Sequence, residues 1–259
     1  VAITRKQAEN IASVLSEGMP YIQRFYGKII VVKYGGAAMS DVSLKKGFAR
    51  DIALMKLVGM KPVIVHGGGP QIAKELKKAG VTSHFNSGLR ITDESTMAVV
   101  KKVLGIKVNG EISTLISKSG ALSKGLNFTN SEIVRASKLI GESGLDLGLV
   151  GKVDKINTRD IKNLISKDII PVISPIGLDK KSRCLNINAD LVAGKVAESL
   201  NAEKLILLTD VKGIKDDEAN LLSKISPAKA KKILKNGIVK GGMVPKLIAA
   251  LEATKQGVS

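Results

Sequence analysis

Short apolar runs alternate with longer amphipathic stretches along the first third of the chain. Residues 29–32 and 62–66 are two such runs, each of strand length and each followed closely by glycines. An amphipathic stretch follows each run, and in the first (41–57) the residues expected to face inward are Leu44, Phe48, Ile52 and Met55. Strand, glycine turn and helix in repeated order predict a parallel sheet.

The second half of the chain returns to this alternation after a less regular middle. Residues 91–165 contain two helical stretches and weaker strands whose places the pattern does not fix. Beyond them it predicts strands at 169–175 and 205–210 and helices at 189–200, 226–236 and 244–254, the second of these helices opened by Ser226-Pro227. A turn at Ile176–Lys181 is the expected lobe boundary, which divides the chain into an N-terminal helix (1–27), one lobe (28–176) and a second lobe (177–259).

The N-terminal stretch, residues 3–26, predicts an amphipathic helix with a kink at Gly18-Met19-Pro20. Its apolar positions lie roughly on one stripe: Ile11, Val14, Leu15, Ile22 and Phe25. Such a stripe either packs on its own lobe or covers the surface of a partner.

The net charge of the chain bears on which kind of molecule it binds. Lys and Arg number 41 against 23 Asp and Glu, which gives a net charge of +18 without any dense basic arm or tail. Nucleic-acid binding is one interpretation, and a basic solvated surface that helps to attract anionic substrates is the other. Aromatic residues are only 3% of the chain and no nucleic-acid motif is present. We therefore favour the second interpretation and expect no nucleic-acid partner.

Composition also excludes several kinds of site. A single cysteine, Cys184, excludes a disulfide framework and a Cys-rich zinc site, and two histidines cannot supply a His-rich metal cage. We expect no metal held by protein ligands alone. No apolar run approaches the ~20 residues that span a bilayer, and no signal peptide opens the chain. These features predict a protein of intracellular type with no membrane partner.

Three glycine clusters mark the candidate chemistry: Gly35-Gly36, Gly67–Gly69 and Gly241-Gly242. The first two follow buried strands, at the sheet edge where parallel folds bind ligands against helix N-termini. Glycine lets backbone N–H groups approach an anion, although one cluster alone would mean only a tight turn. The P-loop and dinucleotide fingerprints are both absent, as are the protein-kinase motifs.

Three charged residues lie beside these glycines. Lys33 ends the first apolar strand, Lys246 follows the third glycine cluster at the start of a helix, and Asp190 begins another helix. A cation at a helix N-terminus is unfavourable unless an anion is bound there. Two lysines and an aspartate suit phosphoryl transfer, which needs positive charge around the transferred group and something to hold those cations in place.

Six segments resemble the amino acid kinase family, and they follow one another in the family's order: 32–39, 65–72, 86–92, 186–190, 207–214 and 241–246. The 86–92 and 186–190 segments are most similar to the branch that phosphorylates N-acetyl-L-glutamate. The resemblance covers essentially the whole chain. It implies a three-layer αβα sandwich around a mainly parallel sheet, with N-acetyl-L-glutamate bound in the N-terminal lobe and ATP in the C-terminal lobe.

The resemblance also implies a role for each matching residue. Lys33 and Lys246 would stabilise the γ-phosphoryl group as it passes to the side-chain carboxylate, and Asp190 would orient both as part of the catalytic group. Arg90 would clamp the substrate's α-carboxylate. The other implied contacts are to substrate (Gly68, Gly69, Asn186 and Asn188) and to phosphates or nucleotide (Gly35, Gly36, Gly67, Thr209, Asp210 and Gly213). Mg²⁺ would be carried by the nucleotide phosphates.

The N-terminal helix resembles that of arginine-inhibited members of the family. This implies a dimeric core that forms hexamers through the helix, feedback inhibition of the complete protein by arginine, and a possible partner in the nitrogen-signalling protein PII. The implied activity is the second step of arginine biosynthesis, in the bacterial cytoplasm or the plastid stroma. Residues 105–111 and 125–130 depart from the family pattern, and we expect the chain to be a fragment.

Two alternatives stay open at this point. A sister kinase of the same fold could act on another small acid or on a nucleoside monophosphate. A chain without catalysis could instead sense arginine or a nucleotide, although intact Lys33, Asp190 and Lys246 argue against that.

Overall fold

A five-stranded parallel sheet forms the centre of the protein. The computed structural model describes residues 3–141, 144–216, 218 and 220–259. Its strands are β1 (Ile29–Tyr34), β2 (Lys61–His66), β5 (Ser123–Leu126), β8 (Ile170–Ile173) and β11 (Lys204–Leu207). The strand order is β11-β1-β2-β8-β5, and all four pairings are parallel. Tyr34 stands opposite His66 in the β1–β2 register, so the residues that follow both strands emerge at the same edge.

Helices cover both faces of this sheet and make the three layers that the family resemblance implies. One face packs on side chains of α2 (Val42–Leu57), α3 (Gly69–Lys78), α4 (Glu94–Val100) and α5 (Asn109–Lys118), with a π-helical segment, Lys101–Val108, between the last two. The other face packs on α6 (Arg159–Ser166), α7 (Ala189–Ser199) and α9 (Met243–Lys255). Because β1 and β2 are buried on both faces, their sequences are continuous apolar runs rather than alternating ones.

A small barrel stands beside the sheet, in the region that the pattern left unassigned. Its strands are β6 (Val134–Ile140), β7 (Asp146–Ile156), β9 (Ile176–Leu178) and β10 (Cys184–Asn186). The turn expected over Ile176–Lys181 is therefore strand β9 followed by a shorter turn, because β9 pairs with both β10 and β6. The proposed division at residue 176 stays a prediction.

Two further elements bear on the site. The hairpin of β3 (Phe85–Asn86) and β4 (Leu89–Arg90) turns through Ser87 and Gly88, both at positive φ. Helix α8 (Pro227–Lys235) begins as predicted, with the Ser226 hydroxyl accepting from the Lys229 backbone N–H.

The helix α1 (Arg5–Phe25) runs through Pro20 and buries none of its residues. Of the expected stripe, Ile11, Val14 and Leu15 are exposed, and Phe25 packs against the core at the helix end. In α2, Leu44 is exposed rather than inward, because the buried residues of that helix, Ala49, Ile52 and Ala53, all lie beyond its first two turns. Within the described residues, no helix has the length and apolar character needed to cross a bilayer.

Candidate active site

A cavity of about 300 Å³ opens at the carboxyl ends of β1 and β2, where the glycine turns lie. It is the place at which open parallel sheets bind their ligands. Ten of the predicted site residues line it: Lys33, Gly35, Gly36, Gly67, Gly68, Gly69, Arg90, Asn186, Asn188 and Asp190. The structure thus brings together residues that are up to 157 positions apart in sequence.

Two lysines share one buried carboxylate at the cavity floor. Lys33 Nζ lies 3.2 Å from Asp190 Oδ1, and Lys246 Nζ lies 2.9 Å from each Asp190 oxygen. Lys33 and Asp190 are both more than nine-tenths buried. Burial lowers the pKa of Lys33, the Asp190 charge opposes that shift, and the nearby Lys246 charge reinforces it. Two lysines lie against one carboxylate in this desolvated place, so an anionic ligand would stabilise the group.

The third glycine cluster connects the lysine pair to the hairpin that carries Arg90. Gly241-Gly242 precedes α9, the helix that carries Lys246, and the Gly88 turn of the β3–β4 hairpin packs directly against it. A Cβ on Gly88 would lie 3.1 Å from the Gly241 carbonyl. The hairpin that carries Arg90 and the helix that carries Lys246 are therefore held against each other.

Gly35 makes room for the lysine. A Cβ at position 35 would lie 2.7 Å from Lys33 Nζ, so any side chain there would displace the ammonium group. Gly36, at φ +74°, turns the chain toward the loop after β11, and a Cβ there would lie 3.9 Å from Asp210 Cγ.

In the Gly67–Gly69 turn, one residue differs from the prediction that these glycines offer free N–H groups to a ligand. Gly67 N–H donates to the Tyr34 carbonyl at 2.7 Å, so it is not free to bind a phosphate as the sequence suggested. Gly68 is the N-cap of α3, and Gly69 is its first residue. Among the described residues, neither Gly68 N–H nor Gly69 N–H has a hydrogen-bond acceptor. These two N–H groups at the start of a helix are suited to an anion.

Arg90 lines the cavity beside the Gly67–Gly69 turn. Its guanidinium donates to Ser83 Oγ and, at 3.4 Å, to the Gly69 carbonyl, and it stacks 4.5 Å from the Phe85 ring centroid. Burial lowers the pKa of Arg90. Within the part of the chain that the structure describes, no carboxylate lies within 4 Å of it. A buried guanidinium without a carboxylate suits a carboxylate ligand.

The two asparagines are engaged differently from each other. Asn188 Oδ1 accepts from the backbone N–H groups of Asp190 and Leu191, at 2.8 and 3.3 Å, and so caps α7. The family resemblance implies that Asn188 contacts substrate, but its side-chain oxygen caps α7, which leaves only its amide NH₂ for a ligand. Asn186 Nδ2 donates to Thr92 Oγ1 at 3.1 Å, which leaves Asn186 Oδ1 to accept from a ligand.

Three of the residues predicted to contact phosphates or nucleotide, Thr209, Asp210 and Gly213, do not line this cavity. Thr209 and Asp210 are exposed in the loop that follows β11, with Asp210 beside Gly36. Gly213 borders a separate apolar cavity of about 390 Å³ between α8 and α9. The described residues contain no group of three His, Cys, Asp or Glu side chains that could hold a metal ion.

Sequence reasoning missed the apolar wall and a buried polar pair. Phe85, Leu104 and Val150 line the cavity but come from a hairpin, a π-helical segment and a barrel strand, none of which the pattern predicted. His66 and Asn109 are buried behind the glycine turn. The position of His66 directly before the glycines was visible in the sequence, whereas nothing there pairs it with Asn109.

The amino acid kinase family matches residues 28–259. The chain belongs to this family. Acetylglutamate kinase from Hydrogenovibrio crunogenus is 50% identical over 99% of this chain and 89% of its own length. Those from Marinomonas sp. and Neisseria meningitidis serogroup C are both 46% identical, over 100% and 97% of this chain and 89% and 86% of their own lengths.

Solved structures agree on the amino acid kinase fold. The protein smu.665 from Streptococcus mutans superposes with a TM-score of 0.80 at 32% identity, covering 89% of this chain and 92% of its own. N-acetylglutamate synthase from Neisseria gonorrhoeae gives a TM-score of 0.83 at 24% identity, covering 95% of this chain and 56% of the synthase. At that identity the synthase shows the fold alone.

Proposed function

We propose that the chain transfers the γ-phosphoryl group of ATP to the side-chain carboxylate of N-acetyl-L-glutamate, which yields an acyl phosphate and ADP. Relatives named acetylglutamate kinase, 46–50% identical over nearly all of the chain, support this activity. The observation that carries the proposal is the buried Lys33–Asp190–Lys246 group at the floor of a glycine-lined cavity.

Phosphoryl transfer is catalysed mainly by positioning and by charge. The transferred group spreads negative charge over its oxygens, and Lys33 and Lys246 would meet that charge while Asp190 holds them in place. The N–H groups of Gly68 and Gly69 would add neutral donors beside them. Mg²⁺ would enter on the nucleotide phosphates and neutralise part of their charge.

The part of the cavity lined by Arg90 and Asn186 suits the amino-acid part of the substrate. Arg90 would form a bidentate pair with the α-carboxylate, and Asn186 Oδ1 would accept the acetamide N–H. The apolar wall of Phe85, Leu104 and Val150 offers contacts to the methyl and methylene groups. Thr209, Asp210 and Gly213 would contact the nucleotide, which would then approach from the β11 side of the sheet.

The exposed apolar face of α1 supports a further proposal about assembly. The protein would form a dimer through its core and a hexamer through α1, with arginine as a feedback inhibitor and the nitrogen-signalling protein PII as a regulatory partner. Its place would be the bacterial cytoplasm or the plastid stroma.

An acceptor survey tests the activity. ADP release is measured with N-acetylglutamate, glutamate, aspartate, carbamate and UMP in turn, and hydroxylamine traps any acyl phosphate as a hydroxamate. We expect turnover and trapping with N-acetylglutamate above all. Turnover with UMP or carbamate alone would assign the chain to a sister kinase, and no turnover with any acceptor would favour a sensor.

A lysine variant then tests the site itself. We predict that Lys33→Ala lowers kcat by ~10²–10³, the scale for losing one preorganised electrostatic contact. Lys61→Ala is the control, because Lys61 is an exposed lysine of the neighbouring strand β2, and its kcat should not change. A Lys33→Ala enzyme as fast as the unmodified protein would refute the assignment.

A further inference from the structure

His66 is fully buried directly behind the glycine turn and has a partner on each ring nitrogen. Nδ1 lies 2.8 Å from the Gly67 carbonyl oxygen, and Nε2 lies 3.1 Å from Asn109 Nδ2. A carbonyl oxygen can only accept, so Nδ1 carries the proton and Nε2 accepts from the Asn109 amide. Both contacts are satisfied only by the neutral ring with its proton on Nδ1.

These contacts fix both peptide groups of Gly67. Its N–H donates to the Tyr34 carbonyl at 2.7 Å, and its carbonyl accepts from His66. In a trans peptide the carbonyl and the following N–H point in opposite directions. Since the Gly67 carbonyl points back to the buried ring, the Gly68 N–H points away from that ring. Gly67, Gly68 and Gly69 all line the cavity.

The Asn109 side chain is itself held on several sides. Asn109 Nδ2 also donates to the Val172 carbonyl at 2.9 Å, and Asn127 Nδ2 lies 3.4 Å from Asn109 Oδ1. Gly125 leaves the space for it, because a Cβ there would lie 2.1 Å from Asn109 Oδ1. The amide therefore has one orientation, and that orientation presents an N–H to His66. Satisfied buried networks of this kind specify one arrangement.

We propose that His66 is a positioning residue that orients the Gly68 N–H toward the transferring phosphoryl group, with Asn109 holding the ring in the required tautomer. Three successive glycines are otherwise the least constrained backbone in the chain. The inference rests on the proposed kinase activity and assigns His66 no contact with substrate. Loss of the Nδ1–H contact should lower kcat more than it raises either KM, because the donor acts chiefly on charge that develops in the transition state.

Two conservative variants separate the two ring contacts. In His66→Asn the side-chain NH₂ can take the place of Nδ1 and keep the bond to Gly67, but the contact with Asn109 is lost. In His66→Gln the amide reaches the place of Nε2 and keeps Asn109, but the bond to Gly67 is lost. We expect kcat of His66→Asn to stay within about threefold of the unmodified enzyme and kcat of His66→Gln to fall about tenfold to a hundredfold. Both KM values should change less than threefold. Equal kcat losses in the two variants, or a change in KM alone, would overturn the proposal.

A measurement on the unmodified protein does not depend on either variant folding or on any activity. The ¹⁵N shifts of the His66 ring should show a protonated Nδ1 and an unprotonated Nε2 at neutral pH. A ring with its proton on Nε2 would overturn the proposal even in an active enzyme. If the acceptor survey showed no turnover, the kinase assignment would fail, while the tautomer would still report on the His66–Gly67 contact.

Discussion

Asp190 connects the local structure of one helix to the charge of the whole site. Its backbone N–H is bound by the Asn188 side chain in the first turn of α7, where a carboxylate is favoured by the helix dipole. Its side chain then contacts both lysines. Without it, two cations would lie uncompensated in a desolvated place, which typically costs about 3–5 kcal/mol. The carboxylate is thus needed for the site to exist before any ligand binds.

Arg90 provides a test of substrate orientation at the same scale. Arg90→Lys keeps the charge but loses the planar pair of donors that fits a carboxylate. We predict a KM for N-acetylglutamate about tenfold or more above the normal value, with the KM for ATP nearly unchanged. Steady-state kinetics with each substrate varied in turn measures both constants. Arg135→Lys, at an exposed arginine of β6, is the matched control. A rise in the ATP constant instead would place Arg90 in the nucleotide site.

His66 predicts how the stability of the protein depends on pH. Burial lowers its pKa from 6.5 to about 4, against the opposing effect of the Gly67 hydrogen bond. Between those values the unfolded chain binds a proton on this residue that the folded protein does not. Stability therefore falls as pH falls from 6.5 toward 4, by about 3 kcal/mol in full.

Urea unfolding from pH 7 to pH 4.5 measures this loss. The free energy of unfolding should fall equally steeply with falling pH in the unmodified protein and in His84→Asn, a change at an exposed histidine. In His66→Asn the loss of unfolding free energy over that range should be smaller by about 2 kcal/mol, because the titrating ring is gone. Parallel curves for all three proteins would mean that folding does not lower the pKa of His66.

At the scale of elements, the turn after β1 is built around its lysine. We predict that Gly35→Ala lowers kcat about tenfold to a hundredfold, because the new methyl group would displace Lys33 Nζ from Asp190. Gly47→Ala is the control for a Gly-to-Ala change, since a Cβ there meets nothing within 4 Å. It should leave kcat unchanged and stabilise α2 by about 0.5–1 kcal/mol. Equal kcat for both variants would show that Lys33 tolerates displacement.

The elements that the sequence predicts well are those whose signals are local. Strands β1 and β2 are buried on both faces, so their apolar runs are uninterrupted. Asp41 and Ser226 cap α2 and α8 within a few residues of each helix start. The barrel was not predicted because one wall of β6 and β7 is exposed and their pairing contains two register shifts. No local pattern encodes those shifts.

The same distinction holds for the site. Glycines that follow buried strands and the lysines beside them could be placed from the sequence, because parallel strands bring their carboxyl ends together. The hydrogen bond that occupies the Gly67 N–H could not be predicted from the sequence, since its acceptor is the Tyr34 carbonyl of the neighbouring strand. Gly213 was assigned to the nucleotide by motif, yet it packs beside Leu221 and borders the cavity between α8 and α9.

At the scale of the whole molecule, the excess of basic residues is consistent with anionic substrates. Lys33 and Arg90 line one cavity, and Lys246 contacts Asp190, the one carboxylate among the described lining residues. The net charge of +18 adds a positive electrostatic field around the rest of the protein. A field of this sign raises the encounter rate with anions at low salt and weakens with ionic strength. The charge therefore suits an enzyme that binds a nucleotide and a dicarboxylate.

Helix α1 is the part of the molecule least explained by its own fold. Ile11, Val14 and Leu15 share one face at helical spacing, and they are 51%, 68% and 61% exposed. Burying three such side chains against another subunit would contribute about 1.5–3 kcal/mol each. We predict that the full chain forms hexamers and that removal of residues 1–26 leaves dimers, as measured by light scattering.

Point variants distinguish loss of this face from loss of the helix. Val14→Asp with Leu15→Asp should give dimers, because burying two carboxylates in an apolar contact is unfavourable. Ser16→Asp, a charge added at an exposed polar position of the same helix, should leave the hexamer intact. Each variant should keep its kcat, since α1 contributes no residue to the cavity. A protein without residues 1–26 that kept the hexamer mass would show that the subunits assemble through the core instead, and the exposed face of α1 would then need another partner.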